Sequence, residues 1–322
     1  MREGIFDKLK KELPDIKKDI LLSEYTTFKI GGPAEYFLIT TKEKEIIRAI
    51  KIAKRLKIPI FVMGGGSNLL VSDKLIKGLV VKNNIKEPMV LMKNNIIKAP
   101  GGIVFGKLVD FSIEKSLQGL EWAGGLPGTF GGAVRGNAGA FGGEVKDSVL
   151  NVRALDNNLN VRKLSNAQCK FSYRSSVFKK QNWVVLSASI KLKKGEKKKI
   201  QEISKSHINY RRERHPLEYP NAGSIFKNVD FKEIPLKFQK IFLDKVKKDP
   251  FPIVPSAWFV IGAGLVGKKI GKAQISEKHS NYIINLGGAS SRDVLKLIDL
   301  VKQRVRKKYG IALEQEVQFV GF

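Results

Sequence analysis

Residues 124–140 read GGLPGTFGGAVRGNAGA, and this segment constrains the architecture of the chain more than any other. Glycine at this density indicates backbone that turns sharply or approaches a ligand closely. A second glycine-rich loop, GGGSNLL at residues 64–70, follows the strand-like run 58–63. Bare amides in such loops can donate to phosphate oxygens. Either loop alone also suits an ordinary tight turn, and neither ends as a P-loop does, but together they predict a dinucleotide cofactor.

A third glycine-rich segment, GAGLVG at residues 262–267, matches the dinucleotide-binding fingerprint and follows the strand-like run Trp258 to Ile261. A Rossmann unit should also carry an acidic residue about 20 residues further on, at the end of the next strand. Residues 280–286 contain no acidic residue. We therefore interpret this match as coincidental.

Hydrophobic periodicity predicts most of the remaining elements. A helix over residues 42–57 would place Ile46, Ile47, Ile50, Ala53 and Leu56 on one face. Further helices are expected around residues 200–214 and 291–309, the latter capped by Ser291 and ended by Gly310. Strands are expected at residues 34–40, 60–63, 184–192 and 313–320. Because helices and strands mix without strict βαβ alternation, the predicted fold class is α+β.

Length and composition set the domain organisation and the compartment. With 322 residues and 43% hydrophobic content, the chain suits about two domains of roughly 150 residues. We place the boundary at the Lys-rich patch 191–199, so that region 1–194, subdivided near residue 85, precedes domain 195–322. Residues 1–12 predict an amphipathic helix rather than a signal peptide, and no segment approaches the roughly 20 apolar residues of a membrane span. A cytoplasmic protein without membrane contact is expected.

Charge and cysteine content limit the partners. The net charge of +29 could attract nucleic acid, but the positive residues are spread along the chain without a nucleic-acid motif. We favour a lysine-rich surface that also attracts a small anionic substrate, and we expect no specific nucleic-acid partner. A single cysteine, Cys169, and three histidines exclude an intramolecular disulfide and predict no metal site.

Several further segments occur in a fixed order along the chain. They are YTTFKIGGPA at 25–34, GGGSN at 64–68, GGLPGTFGGAVRGNAGAFGGE at 124–144, YRSS at 173–176, NAGSIFKN at 221–228 and LEQEV at 313–317. This succession resembles the UDP-N-acetylenolpyruvoylglucosamine reductases, the MurB family, over nearly the whole chain. The resemblance implies an FAD-binding first region of the vanillyl-alcohol-oxidase (PCMH) type, followed by a C-terminal α+β substrate-binding domain.

The resemblance also implies an activity. NADPH would reduce non-covalently bound FAD, and flavin N5 would then deliver a hydride to the enolpyruvyl methylene of UDP-N-acetylglucosamine enolpyruvate. A proton on the neighbouring carbon completes UDP-N-acetylmuramate, a peptidoglycan precursor. The chain would thus be a monomeric oxidoreductase, a UDP-N-acetylmuramate dehydrogenase, that serves cell-wall formation, cell shape and cell division.

The resemblance assigns three catalytic residues. Arg174 would stabilise the charge that develops on the substrate carboxylate, since its planar group can donate two parallel hydrogen bonds. Ser224 would deliver the proton. Glu316 would polarise the intermediate or bridge proton delivery, although a strand would place Glu314 on the same face, so spacing does not separate the two glutamates. From the residues alone, Arg174 also suits a surface strand and Ser224 a turn.

Cofactor and substrate contacts follow from the same resemblance. Lys227, Asn228 and Tyr173 would bind the substrate, with Arg211 and Arg212 as further candidates for phosphates and Tyr173 as a possible orienting group for Arg174. For His279, a proton shuttle and a structural role both stay open. The predicted FAD contacts are Gly64, Gly65, Gly66, Ser67, Asn68, Leu69, Gly124, Gly125, Leu126, Pro127, Gly128, Thr129, Asn137, Gly139 and Ala140.

Two rival functions stay open at this point. An alcohol or sugar oxidase of the same cofactor fold commonly links its flavin through histidine or cysteine, but no histidine precedes His207 and Cys169 stands in no motif. A basic nucleic-acid-binding protein would owe its glycine loops to structure alone. It would bind DNA with a steep salt dependence and bind no flavin.

Overall fold

A computed structural model describes residues 4–322. The chain divides into two compact units. Unit 1 comprises residues 4–20, 34–65 and 76–210, and unit 2 comprises residues 21–33, 66–75 and 211–322. Each unit therefore combines segments that are distant in sequence. The division into an FAD-binding region at 1–194 and a substrate domain at 195–322 is a functional one and stays a prediction.

The helices and strands have the following bounds. The helices are α1 Ile5–Glu12, α2 Glu43–Arg55, α3 Phe105–Glu114, α4 Phe130–Gly136, α5 Val177–Lys180, α6 Lys197–Arg214, α7 Leu236–Phe242, α8 Ser256–Gly262 and α9 Ser291–Tyr309. The strands are β1 Lys17–Leu21, β2 Pro33–Thr40, β3 Ile60–Met63, β4 Leu69–Val71, β5 Ile76–Asn83, β6 Val90–Met92, β7 Ile96–Pro100, β8 Leu117–Gln118, β9 Gly139–Ala140, β10 Gly143–Glu144, β11 Val149–Leu155, β12 Val161–Ser165, β13 Val184–Lys191, β14 Lys193–Lys194, β15 Asn221–Ser224, β16 Val229–Asp230, β17 Ile253–Val254, β18 Lys269–Ile270, β19 Ala273–Ile275, β20 Tyr282–Asn285 and β21 Gln318–Val320.

Unit 1 contains two larger sheets. One has the strand order β1-β2-β5-β3, in which β5 pairs in parallel with both β2 and β3. The other is antiparallel, with the order β12-β11-β13-β7-β6. Helix α2 packs its apolar face, with Ile46, Ile50 and Ala53 buried, into a core that includes Leu79 of β5. The predicted face of this helix is therefore confirmed.

Unit 2 is built around the antiparallel sheet β15-β20-β19-β18 and the long helix α9. Val294, Leu297, Ile298 and Val301 of α9 are buried in one core with Ile283 of the sheet. These residues follow the 3.6-residue period of a helix with one buried side, which is why the sequence alone predicts α9 over residues 291–309.

Three local predictions are wrong. The residue that caps α9 is Ser290, whose side chain accepts a hydrogen bond from the Asp293 amide, so Ser291 is the first helical residue. The run Trp258 to Ile261 lies in helix α8 rather than in a strand, so the GAGLVG segment does not follow a strand as a Rossmann loop does. The predicted strand 313–320 is a strand only at Gln318–Val320, with one isolated bridge at Gln315.

Nothing in residues 4–322 forms a helix with the length and apolar character needed to span a bilayer.

Candidate active site

The two glycine-rich loops of unit 1 pack directly against each other. A Cβ added at Gly64 would lie 2.2 Å from Thr129 Oγ1, and one added at Gly65 would lie 2.7 Å from the Gly128 Cα. Real Cβ atoms essentially never show contacts shorter than 3.0 Å. Glycine is therefore required at both positions, and the loops present backbone atoms rather than side chains to their surroundings.

A partly buried lysine supports the first loop. Lys82, near the end of β5, donates from Nζ to the Gly64 carbonyl oxygen over 3.1 Å. Burial lowers the pKa of the Lys82 ammonium group. The loop is thus tied to the parallel sheet by a side chain that also brings positive charge close to it.

The loops form part of the wall of a cleft within unit 1. Its lining combines apolar side chains, glycine backbone and polar side chains. Its lining residues are Ile50, Lys54, Ile60, Val62, Met63, Gly64, Asn83, Gly101, Thr129, Gly131, Gly132, Arg135, Leu155, Asp156, Asn157, Asn182, Trp183, Val184 and Val185.

The polar side of the cleft centres on Arg135 and Asp156. Arg135 donates to Asn182 Oδ1 over 3.2 Å, and burial lowers the pKa of its guanidinium. Asp156 accepts from Arg162 Nε over 2.5 Å and from the amides of two turn residues, and this hydrogen bonding lowers its pKa to about 2. The carboxylate is therefore ionised at neutral pH, so the cleft offers both charges to a ligand.

Sequence reasoning found only part of this cleft. Among the predicted FAD contacts, Gly64 and Thr129 line it, while Gly131, Gly132 and Arg135 were missed although they belong to the same glycine-rich segment. Residues 182–185 could not be found from local pattern, because strand β13 joins the wall only through its pairing with β7 and β11.

The other predicted FAD contacts in unit 1 do not line this cleft. Gly65 follows Gly64 and packs against Gly128. Gly124, Gly125, Leu126, Pro127 and Gly128 form the loop that leads into α4. Asn137 is fully buried in the left-handed region at φ +43° and ends α4, and its side chain donates to the Ser172 carbonyl. Gly139 and Ala140 form β9, which pairs with β10.

The remaining predicted FAD contacts, Gly66, Ser67, Asn68 and Leu69, belong to unit 2. Asn68 donates through Nδ2 to the Glu316 carbonyl over 3.2 Å, and its own carbonyl accepts from the Gln318 amide. Leu69 opens β4, which pairs in parallel with β21. The second half of the first glycine loop thus supports the segment that carries Glu316.

Arg174 lies in a tight turn of unit 1 rather than in a strand. Ser172 and Ser175 exchange backbone hydrogen bonds across the turn, and Arg174 adopts φ +54°, which an L-residue rarely does. Its guanidinium donates to the Gly139 carbonyl over 3.0 Å and lies 5.0 Å from the centre of the Tyr173 ring. The turn and these two contacts set the direction of the arginine.

Ser224 ends strand β15 of unit 2, opposite Tyr282 of β20 in the antiparallel pairing. A bulge separates Ser224 from Asn221, and Gly223 within it adopts φ +78°. The Tyr282 phenol oxygen lies 3.2 Å from His215 Nδ1, and its interaction with the Ser224 hydroxyl lowers the pKa of the phenol. His279 packs edge-on against both rings. We call His215, Ser224, His279 and Tyr282 the serine cluster.

Charged residues surround the serine cluster within unit 2. Arg211 is buried, and its charge favours the ionised form of the Tyr282 phenol, while Glu316 disfavours it. The Glu316 amide donates to the Ile225 carbonyl over 2.8 Å, next to Ser224 in sequence. Glu314, in contrast, is exposed and pairs with Lys227. The structure therefore distinguishes Glu316 from Glu314, which the two-residue period of a strand could not do.

The predicted substrate residues of unit 2 follow Ser224 directly. Lys227 is largely buried along its side chain and forms its ion pair with Glu314. Asn228 accepts a hydrogen bond from the Ser256 amide through Oδ1 over 3.3 Å. Arg212 is exposed, and its carbonyl accepts from the Lys278 ammonium. Lys227 and Asn228 thus belong to the same unit as Ser224, whereas Tyr173 stands in the Arg174 turn of unit 1.

Two family models match the chain. The model described as "UDP-N-acetylenolpyruvoylglucosamine reductase, C-terminal domain" matches residues 215–320, and the model described as "FAD binding domain" matches residues 34–165. The glycine loops fall within the second match and the serine cluster within the first. The predicted fold class, an FAD-binding domain of the vanillyl-alcohol-oxidase type with an α+β C-terminal domain, is confirmed.

Relatives match over the full length. A UDP-N-acetylenolpyruvoylglucosamine reductase of Caldanaerobacter subterraneus subsp. tengcongensis is 40% identical, over 100% of this chain and 99% of the relative. One of Clostridium novyi is 37% identical, over 99% of this chain and 95% of the relative. Among solved structures, MurB from Thermus caldophilus superposes with a TM-score of 0.75 at 27% identity, covering 95% of this chain and 99% of that chain.

Proposed function

Because the chain belongs to the UDP-N-acetylenolpyruvoylglucosamine reductase family, we propose that it reduces UDP-N-acetylglucosamine enolpyruvate to UDP-N-acetylmuramate with FAD and NADPH. It is an oxidoreductase that contains an FAD-binding domain. The observation that carries the proposal is the cleft of unit 1, where two glycine loops without room for side chains present their backbone inside the FAD-binding segment.

The residues of the cleft suit FAD. Gly64, Gly101, Gly131 and Gly132 leave backbone exposed to the cleft, as contacts with a pyrophosphate require. Apolar side chains such as Ile50 also line the cleft, as a flat ring system requires. The chemistry that FAD supplies when bound is hydride transfer to the enolpyruvyl methylene, with NADPH as the reductant.

FAD would be held non-covalently. Cys169 is buried, and burial raises the pKa of its thiol to about 12, so it is a poor nucleophile at neutral pH. No histidine precedes His207 in the sequence. The chain thus lacks the usual groups for a covalent flavin link in the FAD-binding segment.

Arg174 would bind the substrate carboxylate. Hydride addition to the methylene carbon moves negative charge onto the carboxylate, and a fixed cation stabilises that charge as it develops. The hydrogen bond to the Gly139 carbonyl and the Tyr173 ring hold the guanidinium before substrate arrives. An arginine that is already oriented loses less side-chain entropy when it binds.

Ser224 would protonate the neighbouring substrate carbon, and Glu316 would polarise the intermediate. A serine hydroxyl is a weak acid, so it can act only toward a strongly basic carbon and with neighbours that restore its proton. Ser224 has such a neighbour in Tyr282. Lys227 and Asn228, four residues or fewer from Ser224, would bind the anionic and polar groups of the UDP-sugar.

The test is an anaerobic absorption titration of the FAD-loaded protein, first with NADPH and then with UDP-N-acetylglucosamine enolpyruvate. We expect the flavin bands to bleach with NADPH and to return with substrate. In Ser224→Ala, reduction should be unchanged while reoxidation slows by about 10²- to 10⁴-fold. Ser206→Ala, which removes an exposed hydroxyl from α6, serves as the control.

Other outcomes of this titration would contradict the proposal. If NADPH bleaches the flavin but only oxygen restores it, the chain is an oxidase and the substrate is wrong. If the protein binds no FAD and instead binds DNA with a steep salt dependence, the flavin site itself is wrong.

We also infer that the enzyme works as a monomer in the cytoplasm. The reaction uses a UDP-sugar as substrate and NADPH as reductant, and the net charge of +29 attracts both of these small anionic molecules. Size-exclusion chromatography with light scattering tests the monomer.

A further inference from the structure

We propose that Tyr282 and His215 form a proton relay that restores the Ser224 hydroxyl after each protonation of the substrate. The inference rests on the proposed function, because it assumes that Ser224 donates a proton. It adds two residues that no sequence motif of this chain pointed to.

The geometry of the relay comes from strand pairing and a helix end. Ser224 and Tyr282 are directly opposite each other in the pairing of β15 with β20, so their side chains share one face of the sheet. The Tyr282 oxygen lies 3.2 Å from His215 Nδ1. His215 follows the last turn of α6, where its amide donates to the Arg211 carbonyl. Tyr282 is therefore the neighbour that Ser224 and His215 share.

His215, at the end of the relay away from Ser224, is partly exposed to solvent. Tyr282 is buried with 8% of its surface exposed, whereas Ser224 and His215 are each only partly buried. The rings of His215 and Tyr282 lie 5.2 Å apart between centroids, and His279 packs against both. His279 Nδ1 accepts from the Asn281 amide, so this imidazole is engaged in holding the loop before β20.

The protonation states suit a relay of neutral groups. Burial, followed by His279, Arg211, Lys278 and Lys247, lowers the pKa of His215 to about 4, so its imidazole is neutral at pH 7. A neutral imidazole can donate from one nitrogen while it accepts at the other.

Tyr282 is also neutral at pH 7. Burial raises the pKa of its phenol to about 12; the Glu316 charge acts in the same direction, whereas the Arg211 charge and the Ser224 hydroxyl act against it. A phenol is nevertheless a stronger acid than an alcohol, so proton transfer from Tyr282 to a serine alkoxide is favourable.

The relay transfers one proton at each step. The Ser224 O–H bond breaks as a C–H bond forms on the substrate, which leaves a serine alkoxide. Tyr282 transfers its phenolic proton to that alkoxide. The phenolate takes the Nδ1 proton of His215 as Nε2 takes one proton from solvent, so the imidazole stays neutral, and it returns to its Nδ1–H tautomer by exchange with water. One solvent proton is consumed, and no electron moves along the relay.

The experiment compares Tyr282→Phe and His215→Gln with the unaltered FAD-loaded enzyme in stopped flow. Flavin reduction by NADPH and reoxidation by UDP-N-acetylglucosamine enolpyruvate are timed separately in mixtures of H₂O and D₂O. Tyr309→Phe is the matched control, because Tyr309 is equally buried in unit 2 but packs against Phe242 and Phe259 on α9's core side.

We expect Tyr282→Phe to slow reoxidation by about 10-fold or more while reduction stays unchanged. The dependence of reoxidation rate on D₂O fraction should be curved in the unaltered enzyme, since several protons move, and linear in Tyr282→Phe. His215→Gln should also slow reoxidation, and the double variant should be no slower than Tyr282→Phe alone, because the two residues act in series.

Three results would overturn the relay. Reoxidation of Tyr282→Phe at the native rate with the same curvature would do so, as would equal slowing by Tyr309→Phe. In ¹⁵N NMR of the free protein, a His215 imidazole protonated on both nitrogens at pH 7 would also contradict it. If substrate fails to reoxidise even the unaltered enzyme, the proposed function is wrong and the relay with it. If the unaltered enzyme is reoxidised but Tyr282→Phe behaves like it, only the relay is wrong.

Discussion

The cleft of unit 1 and the serine cluster of unit 2 are built in opposite ways. The cleft is shaped by residues that lack side chains, since Gly64 and Gly65 touch Thr129 and Gly128 where a Cβ would not fit. The serine cluster is shaped by side chains that strand pairing and a helix end bring together. A site built from backbone fails when atoms are added, whereas a site built from side chains fails when functional groups are removed.

The largest expected effect tests the backbone-built region. Gly65→Ala adds a Cβ that would lie 2.7 Å from the Gly128 Cα, so one loop must shift. We expect FAD affinity to fall by about 1–3 kcal/mol, the usual cost of overpacking. Flavin fluorescence titration measures this loss.

The control for this variant is Gly106→Ala in α3 of the same unit, where an added Cβ meets nothing within 4 Å. It should leave FAD affinity unchanged. Equal losses in both variants would show that the contact between the loops does not govern cofactor binding.

Unit 2 also uses a glycine, but for a different purpose. Gly223 adopts φ +78° in the bulge before Ser224, with open space around its Cα. Gly223→Ala should destabilise the protein by about 1–2 kcal/mol, because the left-handed region is unfavourable for an L-residue. It should also slow flavin reoxidation, because the bulge positions the Ser224 hydroxyl.

Gly264→Ala is the matched control, since Gly264 has φ +68° and equally open surroundings away from Ser224. Chemical denaturation should give similar losses of stability for both variants, and stopped flow should show slower reoxidation only for Gly223→Ala. A native reoxidation rate in Gly223→Ala would mean that the bulge does not position Ser224.

A smaller effect is expected from the one side chain that supports the glycine loop. Lys82→Met removes the hydrogen bond to the Gly64 carbonyl but keeps most of the apolar stem. FAD affinity should fall by about 0.5–1.5 kcal/mol, the net worth of one hydrogen bond. Lys77→Met, an exposed lysine on the same strand β5, should leave the affinity unchanged in the same titration. An unchanged affinity in Lys82→Met would mean that the glycine contacts alone hold the loop in its conformation.

The smallest effect concerns pH. The hydrogen bond from Arg162 lowers the pKa of Asp156 from 3.8 to about 2, so the ionised carboxylate stabilises the fold above pH 4 and this contribution is lost as the pH falls through 2. In Arg162→Ala, Asp156 should take up its proton at higher pH, and the midpoint of acid unfolding, followed by circular dichroism, should rise. Lys163→Ala removes the same charge from the next residue of β12 and should not shift it. An unchanged midpoint in Arg162→Ala would mean that Asp156 does not contribute to the acid transition.

The comparison between the two regions also explains which predictions from sequence succeeded. The glycine loops are visible because each glycine reports a local requirement of its own backbone, and helices α2 and α9 are visible because burial on one side repeats every 3.6 residues. The errors arose where local pattern is ambiguous. An apolar run such as Trp258 to Ile261 suits a helix or a strand equally, and adjacent serines compete for one capping position at α9.

The amino-acid sequence alone was sufficient for the α+β class, the two glycine loops and the order of motifs that identifies the family. Folding was needed to place Tyr282 opposite Ser224, to bring His215 to the phenol and to turn Arg174 toward the Gly139 carbonyl. The physical reason is the distance along the chain over which each feature is determined. Backbone freedom and hydrophobic period are properties of neighbouring residues, whereas strand register and packing depend on residues far apart in the chain.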